Sequence, residues 1–456
     1  MTDIYDALVI GAGMAGVAAA TKTASKGWRV GIVDALPYGG TCALRGCDPK
    51  KILRRGAEVV DAARLMAGKG IDTGGLSINW EDLMKHKHGF TDPVPESMEQ
   101  DLKAHGVETL HGVATFTGPT QVDVGGTPYE AAKILIATGA VPRPLGFPGH
   151  EHVIDSSEFL NLEVLPPRIV FIGGGFISFE FAHIAARAGS APIILDRGER
   201  PLKSFDADLV ELLINRGSDA GVEVRRLTSV TAITKSSSGY TLHTDIPGTS
   251  DTSGARQTLQ ADLVVHGAGR VAELSRLNLE AGQIDHGHHG VKVSGHLQSL
   301  TNPAVYAAGD AADTAGLPLT PVAVIEAKVA ASNMLKSATS VPDYAATPTA
   351  VFTVPELVRV GMLEHEANDS GLNIDVRYTD TSQWYSNYRL GETAGAAKIL
   401  VDRDTDLIVG AHLFGHGYAE LANTISLAMK HRLTTRQLKS TTAVYPSTGS
   451  DLSSML

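Results

Sequence analysis

The sequence predicts an α/β protein with two Rossmann-like units. Three observations carry this. An apolar run, a glycine-rich turn, a helix, a second apolar run and an acid follow one another twice, over Ala7–Asp34 and again over Arg168–Asp196. The same 23 positions separate Gly11 from Asp34 and Gly173 from Asp196. The chain's only two cysteines, Cys42 and Cys47, come directly after the first of these units. At 456 residues the chain is long enough for more than one domain.

Taken in order, Ala7-Leu8-Val9-Ile10 reads as a buried strand. Gly11-Ala12-Gly13-Met14-Ala15-Gly16 turns the chain, and an alanine-rich helix runs to about Lys26. Trp28 to Val33 reads as the next strand and delivers Asp34. In such a unit the first glycine makes the tight turn and the second lets the backbone approach a pyrophosphate. The third lets helix and strand pack closely, and the acid takes ribose hydroxyls. The pattern returns as strand Arg168–Ile172, then Gly173-Gly174-Gly175-Phe176-Ile177-Ser178, a helix to about Ala188, strand Pro192–Leu195 and Asp196. Ser178 replaces the third glycine with another small residue. Two units imply two dinucleotides on one chain; the alternative is one working site and one decayed copy. Lys133–Ala140 reads as a strand ending in a turn at Gly139, and Asp262–Arg270, with Gly269, as a second version of it. Ala304–Asp310 reads as a strand delivering an acid to a turn.

The stretch Gly39–Lys51 holds both cysteines. A disulfide needs Cα atoms less than about 7 Å apart. Positions i and i+5 of a regular helix are further apart than that, so the two can pair only across a distorted turn. Gly46 supplies the loose backbone for it, and Pro49 suits the first turn of a following helix. A helix N-terminus and the cations Arg45, Lys50 and Lys51 favour a thiolate. A redox-active dithiol beside a flavin is the leading reading, and two buried structural thiols the alternative.

Apolar residues make up 43% and charged residues 20% of the chain, an ordinary globular composition. A net charge of −11 argues against nucleic acid or an anionic membrane as partner. No apolar run reaches membrane-span length, and Met1-Thr2-Asp3-Ile4-Tyr5-Asp6 has no basic segment or signal core. A cytoplasmic location with a cycling dithiol is expected. His86, His88, His286, His288 and His289 form short clusters without carboxylate or cysteine partners at zinc spacing. They read as solvated loop histidines, and no metal site is expected.

Together, GGTCxxxGCxPxK, GGGFISFE and AAGD resemble the pyridine nucleotide–disulfide oxidoreductases, the family of glutathione reductase, dihydrolipoamide dehydrogenase and mercuric reductase. The resemblance spans essentially the whole chain. It implies two Rossmann-like dinucleotide-binding domains, for FAD and NAD(P), plus a C-terminal α+β dimerisation domain. The FAD domain falls at residues 1–145 and 270–341, the NAD(P) domain at 146–269 and the interface domain at 342–456. By the same resemblance, Gly11, Gly13, Gly16 and Asp34 bind the FAD adenosine and pyrophosphate, and Asp310 holds the ribityl chain. Thr320 to Ala323 line the flavin ring. Cys47 lies against the flavin and Cys42 is the outer thiol that attacks substrate. Lys51 and Glu180 form a pair near the flavin N5, and Phe176 is the aromatic gate over which nicotinamide slides. Thr41, Gly139, Gly173, Gly175 and Gly269 complete the expected cofactor-binding set. Hydride is expected to pass from NAD(P)H to FAD, and two electrons from there through the cysteines to an acceptor.

Asp196 sits where NADH-dependent relatives carry an acid. Arg197 and Lys203, with Arg200 beside them, sit where NADPH-dependent ones carry cations. The balance points to NADPH, with NADH open. The resemblance also implies a homodimer, because each active site uses a C-terminal His-Pro-Thr-x-x-Glu segment from the partner. Here that segment reads Tyr445-Pro446-Ser447-Thr448-Gly449-Ser450, followed by Asp451. A phenol with an ordinary pKa near 10 is a poor base at neutral pH. Three readings follow: a thiol–disulfide reductase with altered acid–base chemistry; a reductase of metal ions, quinones or oxygen; and a non-enzymatic redox-sensing flavoprotein. The intact Cys42, Cys47, Lys51 and Glu180 argue against the third.

Overall fold

The structure is a computed structural model that describes residues 3–248, 254–336 and 339–456. Met1 and Thr2, part of the stretch read as lacking a leader, lie outside it. The chain forms two compact units, Met1–Lys51 with Lys85–Arg143 and Arg270–Tyr344, and Ile52–Met84 with Pro144–Gly269 and Ala345–Leu456.

The first unit is built on a parallel sheet. Its strands run in the order Val107–His111, Val30–Asp34, Asp3–Ile10, Thr127–Ile136 and Val305–Ala307. The apolar strands are covered on both faces, which is what their unbroken hydrophobic runs require. On one face helices Met14–Ala24 and Thr320–Leu335 pack together through Ala15, Ala19, Ala20, Ala327, Ala330 and Ala331. On the other, Tyr5, Leu8 and Ile10 meet Leu277, Leu279 and Val291. The expected strand over Lys133–Ala140 is a longer one that starts at Thr127 and stops at Ile136, and the strand expected from Trp28 begins only at Val30, after a turn at Gly27.

The second unit carries two main sheets. A parallel one orders strands Glu223–Arg225, Ala191–Leu195, Arg168–Ile172 and Leu263–His266. An antiparallel one orders Thr349–Val351, Glu356–Gly361, Leu407–Gly415, Ala396–Asp402 and Ile374–Asp380. Helices Tyr418–Lys430 and Thr448–Met455 cover a face of the antiparallel sheet through Tyr418, Leu421, Ile425, Leu452 and Met455. The helical spacing of their apolar residues brings these to one side.

His86 and His88 are not loop residues: they lie on helix Trp80–Thr91, where His88 contacts Asp92 at 3.1 Å. His288 and His289 do sit in a turn, ring against ring. Among the described residues no helix is long and apolar enough to cross a membrane.

Candidate functional site

The dithiol sits in the first unit, at a break between two helices. Helix Gly40–Arg45 ends at Gly46, whose backbone is non-helical at φ −152° and ψ −110°, and helix Cys47–Leu65 starts at once. A side chain on Gly46 would come within 2.9 Å of the Thr41 carbonyl oxygen, so the break needs a glycine. Both cysteines are free thiols, Cys42 half-buried and Cys47 exposed. Cys47 Sγ lies 3.8 Å from Thr320 Oγ1, at the first turn of helix Thr320–Leu335.

The cationic neighbourhood does not make Cys42 a ready thiolate. A hydrogen bond with Cys47 pushes its pKa up, burial adds to that, and the Thr320 hydroxyl only partly offsets them. The helix N-terminus goes to Cys47 instead, because Cys47 opens a 19-residue helix. Cys42 therefore keeps its proton more tightly than a free thiol does. Of the two lysines that follow, Lys50 is the buried one, at 8% exposure.

The first glycine turn passes a test of fit for FAD. Gly11 has φ +107°, and a Cβ there would meet the Ala137 carbonyl oxygen at 2.3 Å. A Cβ on Gly16 would lie 1.8 Å from the Gly11 carbonyl oxygen. At Gly13 the nearest atom to such a Cβ is the Gly40 Cα at 3.8 Å, so this face is open to a pyrophosphate. Asp34 braces the turn: its carboxylate accepts the Ala12 N–H at 2.8 Å and the Leu36 N–H at 2.9 Å. Gly40 presses on Gly13 so closely that a Cβ would lie 2.5 Å from the Gly13 Cα, which ties the turn to the dithiol helix. Gly139 has φ +72° with open space beside it, and Thr41 is exposed. Asp310 stands in the 3₁₀ turn Gly309–Ala311; burial raises its pKa while Arg270 pulls it down. Ala323 touches that turn, 3.1 Å from where a Cβ on Gly309 would be.

The second turn repeats the construction. Gly173 has φ +105°, and a Cβ on it would meet the Gly267 carbonyl oxygen at 2.5 Å; Gly175 faces the same oxygen at 3.3 Å. Ser178 is fully buried, with its hydroxyl against Gly267. Gly269 has φ +101° and open space. Asp196 accepts the Gly198 N–H at 3.2 Å, and both its carboxylate and the Lys203 side chain flank Gly198. Arg197, Arg200 and Lys203 are exposed. Phe176 begins helix Phe176–Arg187 and is 46% exposed. Glu180, on the same helix, is buried and accepts the Phe352 N–H at 2.7 Å. Lys51 belongs to the first unit and Glu180 to the second.

Tyr445 is 82% exposed and precedes a cis proline bond. Ser450 does not stand in for an orienting carboxylate. Its hydroxyl donates to the Ser447 carbonyl oxygen at 2.6 Å, closing the first turn of helix Thr448–Met455. His416 is held at 3.0 Å by Glu392, which also takes Arg216 at 3.0 Å. Arg216 and Arg187 both bind Asp61 at 2.8 Å. The ligand atoms of Asp61, Glu392 and His416 lie within 4.8 Å of one another, but the Arg216 guanidinium already bridges the two carboxylates. Two carboxylates of this network and of the first unit, Glu392 and Glu326, carried no sequence signal. Neither belongs to a motif.

A family model described as "Pyridine nucleotide-disulphide oxidoreductase" matches residues 5–327, and its dimerisation domain matches residues 347–455. The chain is 30% identical to a glutathione reductase of Burkholderia cepacia, covering 97% of this chain and 96% of that protein. It is 30% identical to a glutathione reductase of Nostoc sp. over the full length of both. A mercuric reductase of Staphylococcus aureus is 28% identical, over 97% of this chain and 80% of that protein. Among solved structures, a Cu(II) complex of the HOCl-induced flavoprotein disulfide reductase RclA from Escherichia coli superposes with a TM-score of 0.87 and 25% identity, covering 100% of this chain and 99% of that one.

Proposed function

The chain belongs to the pyridine nucleotide-disulphide oxidoreductase family, and from that premise we propose an NADPH-dependent flavoenzyme that passes two electrons through Cys42 and Cys47 to a small disulfide. One observation carries this reading. The two thiols interact across the Gly46 break, with Cys47 at a helix start beside Thr320.

The chemistry that bound FAD would supply is two-electron transfer, from a nicotinamide hydride to the cysteine pair. The protein's own groups do the rest. Gly11, Gly13 and Gly16 keep side chains out of the pyrophosphate path, and Asp34 fixes the turn that meets it. Asp310 offers its carboxyl to the ribityl hydroxyls. Lys50, being buried, joins Lys51 as a candidate cation beside the flavin. Phe176 covers the nicotinamide path from an exposed helix start, and three exposed cations, Arg197, Arg200 and Lys203, favour a 2′-phosphate over the hydroxyl that Asp196 would take.

In the reduced pair, Cys42 must give up its proton before it attacks. Its sulfur bonds to one sulfur of the acceptor disulfide and the other leaves as a thiolate. Cys47 then attacks the mixed disulfide, the second thiolate leaves, and the Cys42–Cys47 bond is restored. Two electrons and two protons reach the acceptor. A homodimer supports this reading, since residues 347–455 match a dimerisation domain.

A second reading is reduction of soft metal ions, which have no leaving thiol to protonate. Exposed Tyr445 and the engaged Ser450 hydroxyl favour it. So do similar proteins described as a mercuric reductase and a Cu(II) complex. Steady-state rates with NADPH against glutathione disulfide, other low-molecular-weight disulfides, Cu(II) and Hg(II) decide between them. In the first reading, Tyr445→His raises disulfide turnover by about 10-fold or more, a part of the roughly 10²- to 10⁴-fold that general acid–base help is worth, and leaves metal reduction unchanged. Loss of all disulfide turnover, in wild type and variant alike, with rapid metal reduction, establishes the second.

A further inference from the structure

Glu326 is 1% exposed, on helix Thr320–Leu335 of the first unit. Its Oε2 accepts the Gly309 N–H at 2.7 Å. Its Oε1 accepts the hydroxyls of Thr314 and Tyr344, both at 2.7 Å. A backbone N–H can only donate, and the three short contacts suit donors aimed at a charged carboxylate. No ion pair with Glu326 exists among the described residues. The carboxylate gathers three separate stretches. They are the 3₁₀ turn that presents Asp310, the loop that follows it, and Tyr344 at the last position of the unit. The fit is close. A Cβ on Gly316 would come within 2.8 Å of Glu326 Oε1, Tyr344 and Val322 alike. Ala323, one helical turn before Glu326, packs on Gly309 from the same face.

We propose that Glu326 is a positioning residue for the flavin: its carboxylate fixes the Gly309–Asp310 turn and, as a buried negative charge beneath it, makes the bound flavin harder to reduce. The proposal rests on the FAD reading of this site. The first part follows from hydrogen bonding, because among the described residues the Glu326 carboxylate is what holds the Gly309 N–H from the helix side. The second follows from electrostatics. In a low-dielectric interior, a fixed negative charge opposes the addition of electrons nearby. The rise in the Asp310 pKa, to which Glu326 contributes after burial, is the same field acting on a proton.

Glutamine separates the two effects. In Glu326→Gln the amide oxygen still accepts the Gly309 N–H, and the Thr314 and Tyr344 hydroxyls turn to accept from the amide nitrogen. The bonds survive and the charge goes. Glu326→Ala removes both. The measurements are FAD affinity by reconstitution of apoprotein, the flavin midpoint potential by equilibration with an indicator dye, and thermal unfolding of each apoprotein. In Glu326→Gln, FAD affinity stays within about threefold of wild type, while the equilibrium constant for flavin reduction rises about tenfold, or about 30 mV for two electrons. In Glu326→Ala, FAD affinity falls by about 100-fold, as expected for losing one acceptor to three buried donors. An unchanged potential in Glu326→Gln overturns the charge effect, and unchanged affinity in Glu326→Ala overturns positioning. If Glu326→Ala does not fold, Glu326→Asp, which keeps the charge and withdraws the oxygens from the Gly309 N–H, takes its place, and unchanged FAD affinity there overturns positioning. A wild-type protein that takes up no FAD sinks the functional reading and this proposal with it.

Discussion

Asp48 stands one residue after Cys47, in the first turn of helix Cys47–Leu65. Burial raises its pKa, Lys51 opposes the rise, and its charge adds to the upward push on Cys42. A carboxylate here holds the Cys42 proton more tightly than a neutral residue would. Asp48→Asn therefore lowers the Cys42 pKa. Alkylation of the NADPH-reduced protein at pH 7 should quicken by about 3- to 10-fold, since removing a like charge typically moves a pKa by up to a unit or so. No change in the alkylation rate between pH 6 and 9 would count against it. Ser178 offers a second residue-scale test. Its buried hydroxyl has no hydrogen-bond partner among the described residues, and it lies against Gly267. Ser178→Ala should keep the fold and add up to about 1 kcal/mol of stability by removing an unsatisfied buried group. Ser178→Val should cost stability, because its extra methyl has only the Gly267 backbone to meet. Thermal melts of the two variants check both signs.

The second unit is laced by charges that join its elements. Lys398, on strand Ala396–Asp402, reaches Asp206 at 2.9 Å, Asp208 at 2.6 Å and Glu364 at 2.7 Å. Asp61, Arg187, Arg216, Glu392 and His416 tie three helices to the segments flanking the antiparallel sheet. Burial alone would raise the Glu392 pKa, but hydrogen bonds from His416 and Arg216 outweigh it and bring it down to about 2. A depressed carboxylate adds stability above its ordinary pKa and loses it as pH falls from about 4.5 toward 2. His412, buried in strand Leu407–Gly415, is pushed down from 6.5 to about 4 by burial, against the pull of Asp206. A base kept neutral in the fold lets the unfolded chain take up the proton first, so stability also falls between pH 6.5 and 4. The urea midpoint should decline steadily from pH 7 to pH 3, and His412→Gln should flatten only the upper part of that decline. A midpoint independent of pH over this range would show that neither group contributes. The elements themselves were legible from apolar runs and glycine turns, as with Arg168–Ile172. The network was not: Asp61 and Arg216 are 155 positions apart, and no local pattern announces their contact.

At the scale of the whole molecule, residues 347–455 match a dimerisation domain, and the C-terminal segment leaves Val444 and Tyr445 more than four-fifths exposed. Two exposed apolar side chains side by side are costly unless something covers them. Sedimentation at micromolar concentration should find a dimer, and Tyr445→Asp should weaken it without raising disulfide turnover. A fully active monomer would remove the reason to assign the C-terminal segment to a partner's site. The sequence by itself determined the two Rossmann-like units, their glycine turns and the cysteine pair. Each of these depends on residues within a few tens of positions, where strand and helix periodicity and backbone sterics act. Only the tertiary structure decided that Cys42 holds its proton tightly, which of Lys50 and Lys51 is buried, and that Glu326 underlies the Asp310 turn. Burial and hydrogen bonding depend on groups brought together from distant parts of the chain, and such meetings leave no spacing to read.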